Sequence, residues 1–243
     1  MGDNTQNAGG KKVVCVLGMH RSGTSCLTGC LEELGLYLGD VVTAAKFNLK
    51  GNRESNRMRE INDDLLAHNG GAWDRPPERL AWDDALRARR DAHIESYRDM
   101  ARWGFKDPRT VITLPFWQEA GLDLEFVATF RHPFAVARSL LRRPGVKPET
   151  RPIDLWKMYN LKLIDHIDRY DIPLISFDWP PEKYLKGVEQ IAEKLGLDAG
   201  AVATLDFFEE ALRNDFLQQP AAQEIGAEEK EIYEELNKRA LTV

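Results

Sequence analysis

The distribution of apolar residues predicts strands and helices that alternate along the chain. Val13–Leu17, Leu124–Phe130 and Ile172–Phe177 are mainly apolar rather than alternating, which is typical of strands buried on both faces of a parallel sheet. Trp103–Lys106 is predicted to be a shorter strand. The segments with helical periodicity are Thr24–Leu34, Glu54–His68, Leu80–Arg102, Phe134–Leu141, Ile153–Tyr170, Pro180–Leu195 and Gly226–Leu241.

This alternation predicts an α/β fold of three layers, because parallel strands buried on both faces need helices on each side of the sheet. The pattern runs on without an internal repeat or a linker, so residues 11–243 are expected to form one domain. Residues 1–10 are polar and rich in Gly and Asn, and we expect them to form a disordered tail.

The composition narrows the classes of function. The 243 residues carry a net charge of −6, which argues against broad nucleic-acid binding but leaves room for a small basic pocket. No apolar run approaches the roughly 20 residues of a membrane span, and the N-terminus lacks the apolar region of a signal peptide. The three cysteines favour a reducing compartment, so a cytoplasmic location is expected. Cys26 and Cys30 lie four residues apart without His or Cys partners at ligand spacing, which favours core packing over a metal site.

The segment from Gly18 to Ser25 is a candidate anion-binding loop. Two glycines follow a buried strand, and the hydroxyl residues Ser22, Thr24 and Ser25 lead into a helix whose N-terminal N–H groups can bind an anion. Gly18 and Gly23 have the separation of the nucleotide triphosphatase pattern G-x-x-x-x-G-K-[ST], but Thr24 stands in place of the lysine. Arg21 is the cation of the loop instead. A phosphate-like ligand is therefore expected, but not an ordinary ATPase.

A second candidate block follows the strand Leu124–Phe130. Arg131 lies at its carboxyl end, which is the edge where open α/β sheets bind ligands, and Ser139 follows eight positions later on the next helix. An arginine and a serine so placed can hold a second phosphate. Phe105-Lys106-Asp107-Pro108-Arg109 forms a third polar strand end.

These three blocks together resemble the sulfotransferases that use 3′-phosphoadenosine 5′-phosphosulfate (PAPS). The first is similar to the family's 5′-phosphosulfate loop in its bacterial-type His-Arg-Ser-Gly-Thr-Ser variant, and the second to its 3′-phosphate motif. The third is similar to a Lys-Asp-Pro strand end of protein-tyrosine and some bacterial sulfotransferases. The resemblance spans Val13–Trp179, and the family's C-terminal Lys-Gly-x-x-Gly motif has no counterpart in this chain.

The resemblance implies a P-loop-type fold, PAPS as the sulfuryl donor, its 3′,5′-bisphosphate as the product, and no metal. Transfer would proceed in line to a hydroxyl or amine. The residues that would bind the donor are Arg21, Ser22, Gly23, Thr24, Ser25, Arg131 and Ser139. Arg21 would also stabilise the leaving phosphate.

Four further residues are candidates for the chemistry. The resemblance favours Glu54 as the general base, since a glutamate after the first helix has this role in protein-tyrosine and several carbohydrate sulfotransferases; a first-turn helix acid is the alternative. His20 is a rival base or a residue that shapes the loop. Lys106 would approach the sulfuryl group, and Asp107 would orient Lys106 or Arg21, or act as the base. The family's Lys-x-His base is absent here.

Other functions remain open on the sequence alone. A small-molecule kinase would need the missing loop lysine and a clear Mg-binding acid. A non-catalytic nucleotide-binding protein would keep the loop and lose the chemistry. The acceptor, whether a small molecule, a carbohydrate or a peptide, would lie among Asn48–Asn56, Trp73–Pro77 and Arg142–Arg151, where Arg142, Arg143, Lys147 and Arg151 would attract anions. The sequence leaves the oligomeric state open.

Overall fold

Four parallel strands form the central sheet in the described part of the computed structural model. They are β1 (Lys12–Leu17), β2 (Arg102–Lys106), β3 (Asp123–Phe130) and β4 (Leu174–Ser176), in the spatial order β2-β1-β3-β4. The structure describes residues 11–44, 50–143, 146, 150–208 and 225–243. The predicted tail 1–10, residues 45–49 and part of the loop 142–152 lie outside these residues.

Eight α-helices occur in the described part of the chain. They are α1 (Thr24–Glu33), α2 (Asn56–His68), α3 (Asp84–Glu95), α4 (Thr110–Gln118), α5 (Pro133–Leu141), α6 (Pro152–Arg169), α7 (Pro181–Leu195) and α8 (Ala227–Arg239). A 3-10 helix, Ala199–Thr204, follows α7. None of the described helices is long and apolar enough to cross a membrane.

The helices pack on both faces of the sheet, which confirms the predicted three-layer α/β fold. Val13, Cys15 and Leu17 of β1 contribute to a core formed with α2 to α6 and α8. Val14 and Val16 point to the opposite face, where α1 and α7 pack. Successive side chains of a strand alternate between faces, so a strand that is apolar throughout must be covered on both sides.

Two predicted boundaries were wrong around α3 and β2. The helix predicted over Leu80–Arg102 begins only at Asp84, because the Asp83 carboxylate caps it by accepting a hydrogen bond from the Leu86 N–H at 2.9 Å. It ends at Glu95, and Arg102 belongs to β2 through its pairing with Lys12 of β1. Helix α4, which was not predicted, follows the Asp107-Pro108 turn and contains Pro115.

The strand register brings the polar strand ends to one edge. Val16 is paired with Lys106, and Leu17 with Ala128. Phe130 is paired with Ser176. The loop after β1, Lys106 at the end of β2, and the residues that follow β3 and β4 therefore share the carboxyl edge of the sheet.

Candidate active site

The loop between β1 and α1 has a backbone that depends on glycine. Gly18 and Gly23 have φ angles of 145° and 87°, and Arg21 also lies in the left-handed region at 67°. A Cβ atom at Gly18 would come within 2.4 Å of the Thr129 carbonyl oxygen. At Gly23 it would come within 2.3 Å of the Phe177 ring. The loop is thus held between α1 and the ends of β3 and β4.

The loop contains a buried polar atom shortly before the N-terminus of α1. Ser22 is fully buried, and its Oγ has no hydrogen-bond partner among the described residues. The Ser22 carbonyl is already used, since it accepts a hydrogen bond from Thr129 Oγ1 at 3.1 Å. A buried hydroxyl normally finds a partner, so an unpaired one at a helix N-terminus fits a site that receives an anionic ligand.

Arg21 connects the loop to the second predicted block. Its Nε donates a hydrogen bond to Ser139 Oγ on α5 at 2.8 Å, across 118 residues of sequence. Burial, Arg143 and Arg131 all lower the pKa of Arg21, in that order. Cations that destabilise one another's charge in this way form a field that favours an anion.

Lys106 connects the loop to Glu54. Its Nζ donates to Ser25 Oγ at 3.1 Å and to Glu54 Oε1 at 2.7 Å, and its side chain is only 1% exposed. Glu54 precedes α2, and its carbonyl oxygen accepts from the Val42 N–H at 3.0 Å. Lys106 therefore contacts both Ser25 and Glu54.

Asp107 hydrogen-bonds to a different set of residues. Its Oδ2 accepts from Asn62 Nδ2 at 3.0 Å, and its Oδ1 accepts from the Arg109 N–H and Nη1, each at 3.0 Å. Arg109 is held on its other side by Asp63 at 2.6 Å. The hydrogen bonds of Asp107 thus go to Asn62 and Arg109, not to Lys106 or Arg21 as the sequence suggested.

His20 lies in an aromatic environment beside the loop. Its ring centroid is 4.8 Å from that of Trp73 and 6.0 Å from that of Tyr159. Burial lowers the pKa of His20 well below its usual value, and Arg109, Arg143, Lys106 and Arg21 lower it further. At neutral pH the imidazole is therefore uncharged, and its Nε2 has no hydrogen-bond partner among the described residues.

Arg131 contacts two residues of the segment that follows β4. Its Nε is 3.4 Å from Asp178 Oδ1, and its guanidinium lies 5.0 Å from the centre of the Phe177 ring. The Tyr233 hydroxyl of α8 donates to Asp178 Oδ2 at 3.3 Å. Sequence reasoning missed Asp178 and Tyr233, and the only available signal was that Asp178 follows a predicted strand.

The predicted acceptor segments are described in part. The Arg143 guanidinium lies 5.5 Å from the centre of the Trp73 ring and close enough to Arg21 and His20 to lower their pKa values. Lys147 and residues 45–49 are outside the described residues. Within the described ranges, no group of three His, Cys, Asp or Glu residues is arranged to hold a metal ion.

Comparisons with known proteins identify the fold. No protein-family model matches the chain, and none of the curated proteins matches it significantly. Among solved structures, the sulfotransferase domain from the Synechococcus PCC 7002 olefin synthase is similar, with a TM-score of 0.60 and 15% sequence identity. The match covers 94% of this chain and 95% of that chain. The chain therefore has the fold of a sulfotransferase domain.

Proposed function

We propose that this protein is a PAPS-dependent sulfotransferase that acts on a hydroxyl or amine. The observation that carries the proposal is the contact between Arg21 and Ser139, because it joins the two blocks that resemble the 5′- and 3′-phosphate motifs. The fold shared with a sulfotransferase domain supports the same assignment.

The chain's own residues fit a donor with two phosphate groups. Ser22 offers a buried hydroxyl that has no partner among the described residues, and Thr24 and Ser25 begin α1, so the 5′-phosphosulfate would bind at the loop. Arg131 and Ser139 would bind the 3′-phosphate, with Arg21 between the two groups. This second clamp would distinguish the donor from ADP or ATP, which carry no 3′-phosphate.

The chemical step would use the contacts of Lys106. When bound, the donor supplies a sulfuryl group whose S–O bond to the 5′-phosphate breaks as the acceptor oxygen bonds to sulfur. Glu54 would take the proton of the attacking hydroxyl, and Lys106 orients the Glu54 carboxylate at 2.7 Å. Arg21 and Lys106 would stabilise the negative charge that the leaving phosphate gains.

His20 is the second candidate for the base. Its buried, uncharged imidazole lies beside the loop, and Nε2 has no partner in the part of the chain that the structure describes. Asp107 is the weakest candidate of the three, since both of its oxygens accept hydrogen bonds from Asn62 and Arg109. We assign Asp107 the role of holding the turn between β2 and α4.

The acceptor would approach from the side of Trp73 and Arg143. The loops at this edge determine which small molecule, carbohydrate or peptide is sulfated. Incubation of the protein with radiolabelled PAPS and representatives of each class would identify the acceptor by transfer of label.

Donor binding can be tested without knowledge of the acceptor. Isothermal titration calorimetry should show that adenosine 3′,5′-bisphosphate binds, and that Arg131→Ala weakens it by more than about 1 kcal/mol through the loss of charged hydrogen bonds. A kinase would instead bind ATP–Mg and not the bisphosphate, and that result would overturn the proposal. A protein that binds the bisphosphate yet transfers no label to any acceptor class would be a non-catalytic nucleotide-binding protein.

A further inference from the structure

Asp178 lies at the junction between the end of β4 and helix α8. Its carboxylate is 8% exposed and contacts three donors. Oδ1 faces Arg131 Nε at 3.4 Å, while Oδ2 accepts from the His132 N–H at 2.5 Å and from the Tyr233 hydroxyl at 3.3 Å. A buried carboxylate with donors on both oxygens is fixed in orientation, because any rotation would leave a charge unpaired.

Tyr233 is equally constrained. Its ring centroid lies 5.7 Å from that of Phe130 and 5.1 Å from that of His132. Ile232 and Leu236 of the same helix are buried in the core. Burial, followed by Asp178, raises the pKa of Tyr233, so its hydroxyl keeps its proton and remains a donor at physiological pH.

Besides this core packing, ion pairs hold α8 against α6. Lys157 of α6 lies 2.9 Å from Glu228 of α8, and Arg239 of α8 pairs with Asp168 of α6 at 2.5 Å. These ion pairs fix α8, which is remote in sequence from β3 and β4, so that the Tyr233 hydroxyl lies against Asp178.

We propose that Asp178 and Tyr233 are positioning residues that orient the guanidinium of Arg131 toward the 3′-phosphate of the donor. This inference rests on the proposed function, which gives Arg131 that ligand. The guanidinium group is planar, so the direction of its Nε–H also sets the direction of its two Nη groups. The Phe177 ring, 5.0 Å away, supports the same plane.

If Asp178 orients Arg131, Asp178→Asn should weaken ligand binding, which is the opposite of the effect expected from charge alone. A carboxylate next to a phosphate site repels the ligand, so its neutralisation by Asp178→Asn would strengthen binding if Asp178 had no positioning role. A positioning residue gives the reverse result, because Arg131 loses the orientation in which it binds the phosphate.

The test compares two nucleotides that differ only in the 3′-phosphate. Calorimetry measures the dissociation constants of adenosine 3′,5′-bisphosphate and adenosine 5′-monophosphate for each variant of the full chain. We expect Asp178→Asn to weaken the bisphosphate roughly tenfold and Tyr233→Phe to weaken it roughly threefold. The monophosphate should stay within about twofold of the wild-type value in both variants, since it lacks the 3′-phosphate assigned to Arg131.

Two matched controls separate positioning from general loosening. Asp168→Asn removes a carboxylate that ties α8 to α6 but does not touch Asp178. Tyr170→Phe removes a partly buried hydroxyl that accepts a hydrogen bond from Gln118 Nε2 at 2.7 Å and is not a contact of Arg131. Neither should change the preference for the bisphosphate. Thermal denaturation would show whether each variant is folded, and Tyr233→Phe, which keeps the ring, serves if Asp178→Asn does not fold.

The outcomes distinguish this inference from the proposed function. If the wild-type protein shows no preference for the bisphosphate over the monophosphate, the 3′-phosphate assignment itself fails. If the wild type has the preference and folded Asp178→Asn and Tyr233→Phe keep it, or Asp178→Asn increases it, only the positioning role is overturned.

Discussion

Arg21 and Ser139 are joined by a hydrogen bond of 2.8 Å between the arginine Nε and the serine Oγ. The two residues come from different strand–helix units. Their contact shows that the loop after β1 lies directly against α5. In the proposed function it is also the point where the binding sites for the two phosphate groups of the donor meet.

Ser139→Ala should weaken the binding of adenosine 3′,5′-bisphosphate by about 1 kcal/mol, or roughly fivefold. The substitution removes the hydroxyl proposed to bind the 3′-phosphate and releases Arg21 from its anchor. Calorimetry checks the value. Ser96→Ala is the control, because the Ser96 hydroxyl donates to the His93 carbonyl one turn before it. Unchanged affinity in Ser139→Ala would contradict the proposed phosphate site.

Glu54→Gln should reduce turnover at least about 100-fold, the usual contribution of a general base, while bisphosphate affinity changes little. Transfer of radiolabel under saturating donor measures turnover. Glu32→Gln is a matched control, since Glu32 forms its ion pair with Arg53 at 2.6 Å rather than with Lys106.

The same assay decides between Glu54 and His20. His20→Asn should retain most of the turnover if the imidazole only packs against Trp73. A large loss in His20→Asn, with activity preserved in Glu54→Gln, would transfer the role of base to His20.

Asp107→Asn should lower the free energy of unfolding by about 3 kcal/mol, because it leaves the buried Arg109 without its closest buried carboxylate. Urea denaturation measures this change. Asp63 is the other partner of Arg109, and the Asp63 side chain is 44% exposed. Asp63→Asn should therefore lower the free energy of unfolding by only about 1 kcal/mol or less. Equal effects of the two substitutions would argue against a structural role specific to Asp107.

Gly23→Ala should destabilise the protein by about 2 to 4 kcal/mol and abolish bisphosphate binding. The residue has a φ of 87°, and an added Cβ would overlap the Phe177 ring. Gly35→Ala is the matched control: it also has a positive φ, of 102°, but its Cβ would meet no atom within 4 Å. Comparable losses in both variants would show that the clash with Phe177 is unimportant.

Stability should fall as the pH decreases from about 6.5 toward 4, because buried histidines resist protonation in the folded state. Burial is the largest cause of the lowered pKa of His20, His93, His132 and His166, and for His93 the value falls to about 4. The unfolded chain binds protons near pH 6.5, and the folded chain does so only at lower pH. Protons therefore favour unfolding in this window.

Urea denaturation at several pH values tests this expectation. His93→Phe keeps an aromatic ring at this position. It should reduce the loss of unfolding free energy between about pH 6.5 and pH 4 by about 2 to 3 kcal/mol. His68→Gln, at an exposed position, is the control. A pH profile in His93→Phe parallel to that of the wild type would contradict the assignment.

The local signals in the sequence determined the strands and the loop. Apolar runs without alternation predicted β1 and β3, and the glycine spacing predicted the loop after β1. These features can be predicted from short stretches of sequence, since an apolar run and the positive φ angles that glycine permits are local properties. The placement of Arg131 and Lys106 at strand ends was likewise predicted, because parallel strands share one carboxyl edge.

The tertiary structure decided what the polar residues do at that edge. Lys106 and Asp107 are adjacent in sequence, yet Lys106 contacts Glu54 while Asp107 contacts Asn62 and Arg109. Successive residues at a strand end point in different directions, so their partners depend on which helices pack on each face. The contact of Tyr233 with Asp178 spans 55 residues and has no local pattern, since it exists only once α8 has docked.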